Sequence, residues 1–167
     1  MKKILLIAAA LFAAVGCMKD DGPNQKWERT LDAVAVTVNT TTDVKFEDQI
    51  EVRIIQDDVT KSSLSFELKG IQFVPMMPSV NFMLVNLPFK LYDHKGDTTD
   101  PLYNSWVFNE AQVVPQVGGV ERTDYTMHNV KGNFSDTGLK LEFDVNFAGA
   151  VYHATIDTSI ELEEEEK

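Results

Sequence analysis

Cysteine is nearly missing: Cys17 is the one thiol in 167 residues. A single cysteine excludes an internal disulfide and the multi-cysteine zinc frameworks. The fold must therefore rest on packing and hydrogen bonds. Basic side chains are scarce as well, with 15 Lys and Arg against 26 Asp and Glu and a formal net charge of −11. That balance argues against nucleic acid as a partner, because phosphate binding needs a basic surface. It argues equally against adsorption on anionic lipid through a basic patch. The three histidines, His94, His128 and His153, show no H-x-x-x-H or H-E-x-x-H spacing, so no metal and no cofactor is expected. No G-x-S-x-G occurs, so the nucleophile-elbow pattern of a hydrolase is missing, and no catalytic residue and no enzyme activity are expected. Gly118-Gly119 has no helix pattern after it and reads as a flexible loop, not a phosphate loop. No apolar run reaches the roughly 20 residues that cross a bilayer as a helix.

The longest apolar run, residues 4–15, follows Lys2 and Lys3 and ends in the small residues Ala13, Ala14 and Gly16. Charge, length and flank are those of a secretory signal peptide. Ala14-Val15-Gly16-Cys17 resembles the lipobox of bacterial lipoproteins, with Ala14 in place of the usual Leu. The resemblance implies cleavage before Cys17 and acylation there. Each buried CH₂ of an acyl chain contributes about 0.8 kcal/mol, so two or three chains anchor the protein to a membrane. Lys19, Asp20 and Asp21 follow at once. They resemble the export signal that carries Bacteroidota lipoproteins to the outer face of the outer membrane, which implies a lipid-anchored protein facing the cell exterior. The division expected is a signal peptide over 1–16, a flexible tether over 17–29, one folded domain over 30–162 and an acidic tail over 163–167.

After Trp27 helical periodicity is nearly absent, and apolar residues alternate with polar ones in short runs. Candidate strands fall at 30–38, 49–55, 63–73, 80–91, 106–114, 125–134, 139–147 and 151–162. The clearest sets Leu139, Leu141, Phe143, Val145 and Phe147 against Lys140, Glu142, Asp144 and Asn146. Gly70 shifts the phase of its run, as a bulge would. Residues 80–91 are apolar on both faces. Residues 135–138 and 148–150 read as hairpin turns; 74–79, 92–105 and 115–124 read as longer loops. Connections this short require antiparallel neighbours. The fold class expected is all-β: a single eight-stranded antiparallel up-and-down barrel, whose interior is either filled or holds one small ligand.

Leu64-Ser65-Phe66-Glu67-Leu68-Lys69-Gly70-Ile71-Gln72-Phe73, then Met77-Pro78-Ser79-Val80-Asn81-Phe82, and later 125–130 leading into 139–145, resemble the calycin-like β-barrel lipoproteins of Bacteroides and relatives. The resemblance spans most of 30–161 and implies a lipocalin-like barrel at the cell envelope, with no shared activity or catalytic residue. The function expected is a non-catalytic binding module for a small or hydrophobic ligand; the alternative is an interaction subunit of an outer-membrane assembly. Pro75-Met76-Met77-Pro78 offers an adaptable apolar contact or a plug for one barrel end. Aromatic residues gather around 92–105 and either line a ligand mouth or pack the core. Met76, Met77, Phe82, Tyr92, Tyr103 and Trp106 are the candidate ligand-binding residues. Asp97-Thr98-Thr99 resembles the O-glycosylation motif of Bacteroidota.

Overall fold

The computed structural model describes residues 27–56, 62–135 and 138–158. The signal-peptide and tether residues through Lys26, including Cys17, Lys19, Asp20 and Asp21, lie outside them, as does the acidic tail. The described chain is all-β. Its strands are β1 (Trp27–Asn39), β2 (Lys45–Gln56), β3 (Ser63–Ile71), β4 (Val80–Pro88), β5 (Lys90–Leu91), β6 (Trp106–Val113), β7 (Gln116–Val117), β8 (Val120–Glu121), β9 (Met127–Phe134), β10 (Leu139–Phe147) and β11 (Ala150–Asp157). A 3₁₀ turn, Thr123–Tyr125, precedes β9. All pairings are antiparallel, and one sheet runs β5-β6-β9-β10-β11-β1-β2-β3-β4-β7-β8, curled into a half-barrel.

This corrects the expectation of a single eight-stranded barrel: among the described residues the sheet has eleven strands. Two departures account for the difference. Residues 80–91 break at Phe89 into β4, which pairs with β3, and β5, which pairs with β6. Residues 115–124, expected as a loop, fold the short hairpin β7–β8 and the 3₁₀ turn. β10 has the boundaries read from the sequence, while β1 begins earlier, at Trp27 opposite Gln56.

Local chemistry sets the register. Along β2, Ile50, Val52 and Ile54 are buried while Glu51 and Arg53 are half-exposed, the period of a strand with one face on the core. After β1, the side-chain oxygen of Asn39 accepts from the N–H groups of Thr41 and Thr42 at 2.9 and 3.1 Å. This is an Asx turn that reverses the chain. Between β10 and β11, Ala148 and Gly149 both hold positive φ, 50° and 81°. Those are the angles of a type I′ hairpin, whose twist matches that of the strands it joins. Gly70, at φ 79°, marks the bulge between Leu68 and Ile71.

The concave face is packed with large side chains. Phe66 meets Phe108 at 5.1 Å between ring centroids, Phe73 stacks on Phe82 at 5.8 Å, and Phe82 meets Tyr125 edge-on at 5.0 Å. Such pairs contribute about 0.5–1.5 kcal/mol each beyond the area they bury. Leu68, Leu84, Leu141, Met127 and Ile156 fill the space between the rings, all fully buried. Gly132 lies between Phe108 of β6 and Leu141 of β10. A Cβ at Gly132 would sit 2.5 Å from the tip of the Phe108 ring and would collide with the carbonyl oxygen of Lys140. The glycine is therefore what lets Phe108 lie flat across β9. At one end the loop 74–79 turns Met77 inward and leaves Pro75, Met76, Pro78 and Ser79 exposed. Met77 is 3% exposed, its carbonyl accepts from the Gln72 side chain, and Phe73 O accepts from the buried Thr37 hydroxyl at 3.0 Å.

Candidate functional site: a groove between β4 and β6

Among the described residues no ladder joins β4 to β6; β7 bridges the two at one end and β5 at the other. At one end Met83 pairs with Gln116 of β7. At the other Lys90 and Leu91 of β5 pair with Val107 and Trp106, and Tyr92 N–H donates to Ser105 O at 2.9 Å. The separation has a cause in β4. Leu64 faces Leu87 but Phe66 faces Leu84, so β4 carries an extra residue at Val85-Asn86. Asn86 holds φ 56°, and its N–H is taken by the Ser65 hydroxyl at 3.1 Å. Pro88 follows and has no N–H to give. A bulge bends its strand and interrupts the ladder, and beyond Met83 opposite Gln116 no further pairing is made on this edge of β4 among the described residues. The hairpin β7–β8 then closes the far end. Its turn is Gly118-Gly119, with φ 59° and 81°, so these glycines form a tight reversal and not the flexible loop expected of them.

The resulting groove has two lobes. One of about 690 Å³ is bordered by Pro88, Tyr92, Val107 and Glu110; one of about 410 Å³ is bordered by Asn86, Pro88, Glu110, Gln112 and Gln116. Pro88 and Glu110 belong to both. The floor is apolar and shut: Leu87, Phe108 and Val113 are buried beneath it. The rim is acidic. Glu110 is half-buried, in phase with Phe108, and Glu121 is exposed at the other end. Neither has a cationic partner among the described residues, whereas the remaining strand glutamates all do. Glu28 and Glu67 flank Arg53 at 3.2 Å each, Glu47 meets Lys45, Glu51 meets Lys69, and Glu142 takes Lys131 and Lys140 at 3.3 and 3.1 Å.

Of the six candidate ligand-binding residues, Tyr92 borders the groove. Its hydroxyl donates to Asp100 at 3.2 Å; that hydrogen bond, then the Asp100 charge, holds the phenol above its ordinary value. Trp106 stacks on Phe134 at 5.4 Å just below, half-buried. Tyr103 packs edge-on against His94 in the loop 92–105. Phe82 and Met77 are core residues, and Met76 points outward at 96% exposure. The six are therefore not gathered at one mouth. Asp93, Asp97 and Asp100 each accept from a backbone N–H two residues on, at 3.1, 2.9 and 2.8 Å. These repeated Asx turns give the long loop its shape.

A separate polar depression lies on the outer face. Asp144 accepts from Asn129 and His153, both at 2.8 Å. Burial pushes its carboxyl up, but those two hydrogen bonds, with the charges of His153 and Lys131, outweigh burial and hold it below the ordinary aspartate value. Asn129 adopts φ 53° where β10 shifts register between Glu142 and Asp144. The lining of this depression is Asn109, Ala111, Asn129, Lys131, Asp144 and His153, with no hydroxyl or thiol. Among the described residues, no three His, Cys, Asp or Glu side chains converge as metal ligands would.

Comparison with known proteins leaves the geometry to speak for itself: no family model matches the chain, and no curated protein matches it. The groove was invisible in the strand-by-strand alternation. Its signals were the apolar character of both faces of 80–91 and the Asn86-Leu87-Pro88 break within it.

Proposed function

We propose that the chain is a lipoprotein of the outer membrane, anchored through Cys17 and facing the cell exterior, that acts without catalysis by engaging another envelope protein. The observation that supports this reading most is the packed interior. A lipocalin-like carrier needs an open, lined cavity; here Phe66, Phe73, Phe82 and Phe143 occupy that space, all fully buried. The packing favours contact along the outside over a small hydrophobic ligand held within. On this reading β4 with β5, and β6 with β7, each serve as one strand. The half-barrel is then a calycin-like barrel opened along a single seam.

Two experiments test the proposal. Labelled palmitate should be incorporated into the wild-type protein and lost in Cys17→Ser. A photo-crosslinking amino acid at Val85 or Gln112, beside the groove, should capture an envelope protein in intact cells. The same group at Val44 or Val151, both exposed and remote from the groove in the sheet order, should not. Equal capture from all four positions would contradict the reading, as would a stoichiometric small molecule co-purifying with the protein.

A further inference from the structure

We infer that the groove between β4 and β6 receives an extended, cationic segment of a partner polypeptide, which adds to the free edge of β6 as a further strand. The inference rests on the interaction reading above and gives the partner its chemistry.

The first support is the backbone. One edge of β6 is occupied by β9, from Trp106 opposite Phe134 to Val113 opposite Met127. The other edge meets β5 at Trp106 and Val107, and among the described residues no ladder continues from Phe108 to Val113. N–H and C=O groups along such an edge are the template that an added strand satisfies. At about 3.4 Å per residue this stretch offers roughly 20 Å, an ordinary strand length. β4 does not fill the role itself, because the bulge at Val85-Asn86 and the missing donor of Pro88 leave it without a regular facing edge. The pairings at Met83 and Lys90 hold the two sides in place at both ends.

The second support is charge. The two strand glutamates without a cationic partner among the described residues, Glu110 and Glu121, both border this groove. Lys90 borders only the larger lobe, together with Asp93. Glu110 stands on the floor side of β6, in phase with Phe108. A strand that alternates Lys or Arg with apolar residues therefore turns its basic face to that side, laying the aliphatic stems over Leu87 and Val113 and its charges toward Glu110, with Glu121 at the far end of the groove. A second copy of this chain fits poorly, since each copy carries −11 and like charges repel across an interface.

The test uses three capped eight-residue peptides with the purified protein: lysine alternating with valine, glutamate alternating with valine, and the lysine peptide with one central valine replaced by proline. Binding is read by fluorescence anisotropy and by hydrogen exchange. The lysine peptide should slow exchange in the segment 108–114, and its affinity should fall as salt rises. The glutamate and proline peptides should do neither. The double variant E110Q/E121Q should bind the lysine peptide roughly five- to tenfold more weakly, as the loss of two partly exposed ion pairs implies. Equal binding of the glutamate peptide, undiminished binding by E110Q/E121Q, or lysine-peptide binding without slowed exchange at 108–114 would each overturn the inference. The exchange readout on the wild-type protein does not depend on how the variant folds. Groove-specific crosslinking in cells combined with failure of all three peptides would overturn strand addition while leaving the interaction reading in place.

Discussion

Replacing Phe82 with alanine tests whether the interior is packed solid. Phe82 has no exposed surface, stacks on Phe73 at 5.8 Å and meets Tyr125 edge-on at 5.0 Å. Around it the described core is continuous, so little can move in to fill the gap. Truncating a buried Phe to Ala in a core that relaxes only partly costs about 3–5 kcal/mol, and the two ring contacts fall within that sum. For a domain of this size each kcal/mol lowers Tm by roughly 4 °C, which places the loss near 12–20 °C. Urea titration followed by tryptophan fluorescence gives the free energy directly, and an unchanged m-value shows that the same surface is exposed on unfolding. A new apolar cavity should also bind a small hydrocarbon such as benzene, which the wild-type protein should not. A loss below about 1 kcal/mol would refute the reasoning, because the variant would then behave as though the space around Phe82 were already empty.

Gly132→Ala should destabilise by about 2–3 kcal/mol, the range for overpacking a tight site, because its Cβ would meet Phe108 and the Lys140 carbonyl. Gly70→Ala, which meets only open space at φ 79°, should cost about 1–2 kcal/mol from backbone strain alone; urea titration of both would contradict the packing if Gly70 proved the more sensitive. Ala148→Asn should raise stability by about 0.5–1 kcal/mol, since asparagine tolerates the φ of 50° that alanine resists, and an unchanged or lower midpoint would speak against the type I′ turn. The carboxyl of Asp144 is held below its ordinary value in the folded protein. Its contribution should therefore be complete above the unfolded aspartate value of about 3.9 and be lost as pH falls through the lower folded value. The stability gap between wild type and Asp144→Asn should be full at pH 5 and shrink steadily below pH 4, and a gap unchanged at pH 2 would remove Asp144 from the account.

How legible each part of the fold was depended on how local its cause was. β10 could be read to the residue because Leu139, Leu141, Phe143 and Val145 face a single buried side. The bulge at Gly70 was readable because a change of phase leaves a mark in the sequence. The short pairings β5–β6 and β4–β7 were not, because ladders of one or two residues produce no periodicity. The hairpin β7–β8 was hidden for the same reason: Gly118-Gly119 serves a loop or a tight turn equally until its partners are known. The aromatic residues near 92–105 could be assigned to a mouth or to a core, and the fold divides them. Tyr92 lies at the groove, Phe82 lies in the interior, and Trp106, opposite Leu91 of β5, stacks on Phe134. Glu110 and Glu121 could not be singled out among 26 acidic residues. They differ from the other strand glutamates only in what lies across from them, which is a property of the assembled sheet.

The groove matters only if β4 and β6 are unjoined between the β4–β7 and β5–β6 pairings, and amide hydrogen exchange of the protein alone measures that directly. Amides that point from the middle of β6 toward β4 should exchange orders of magnitude faster than those of β2 or β10, which are laddered on both edges. Slow exchange throughout the segment 108–113, matching β2 and β10, would mean that the wall is closed there and that no free edge exists for a partner to meet.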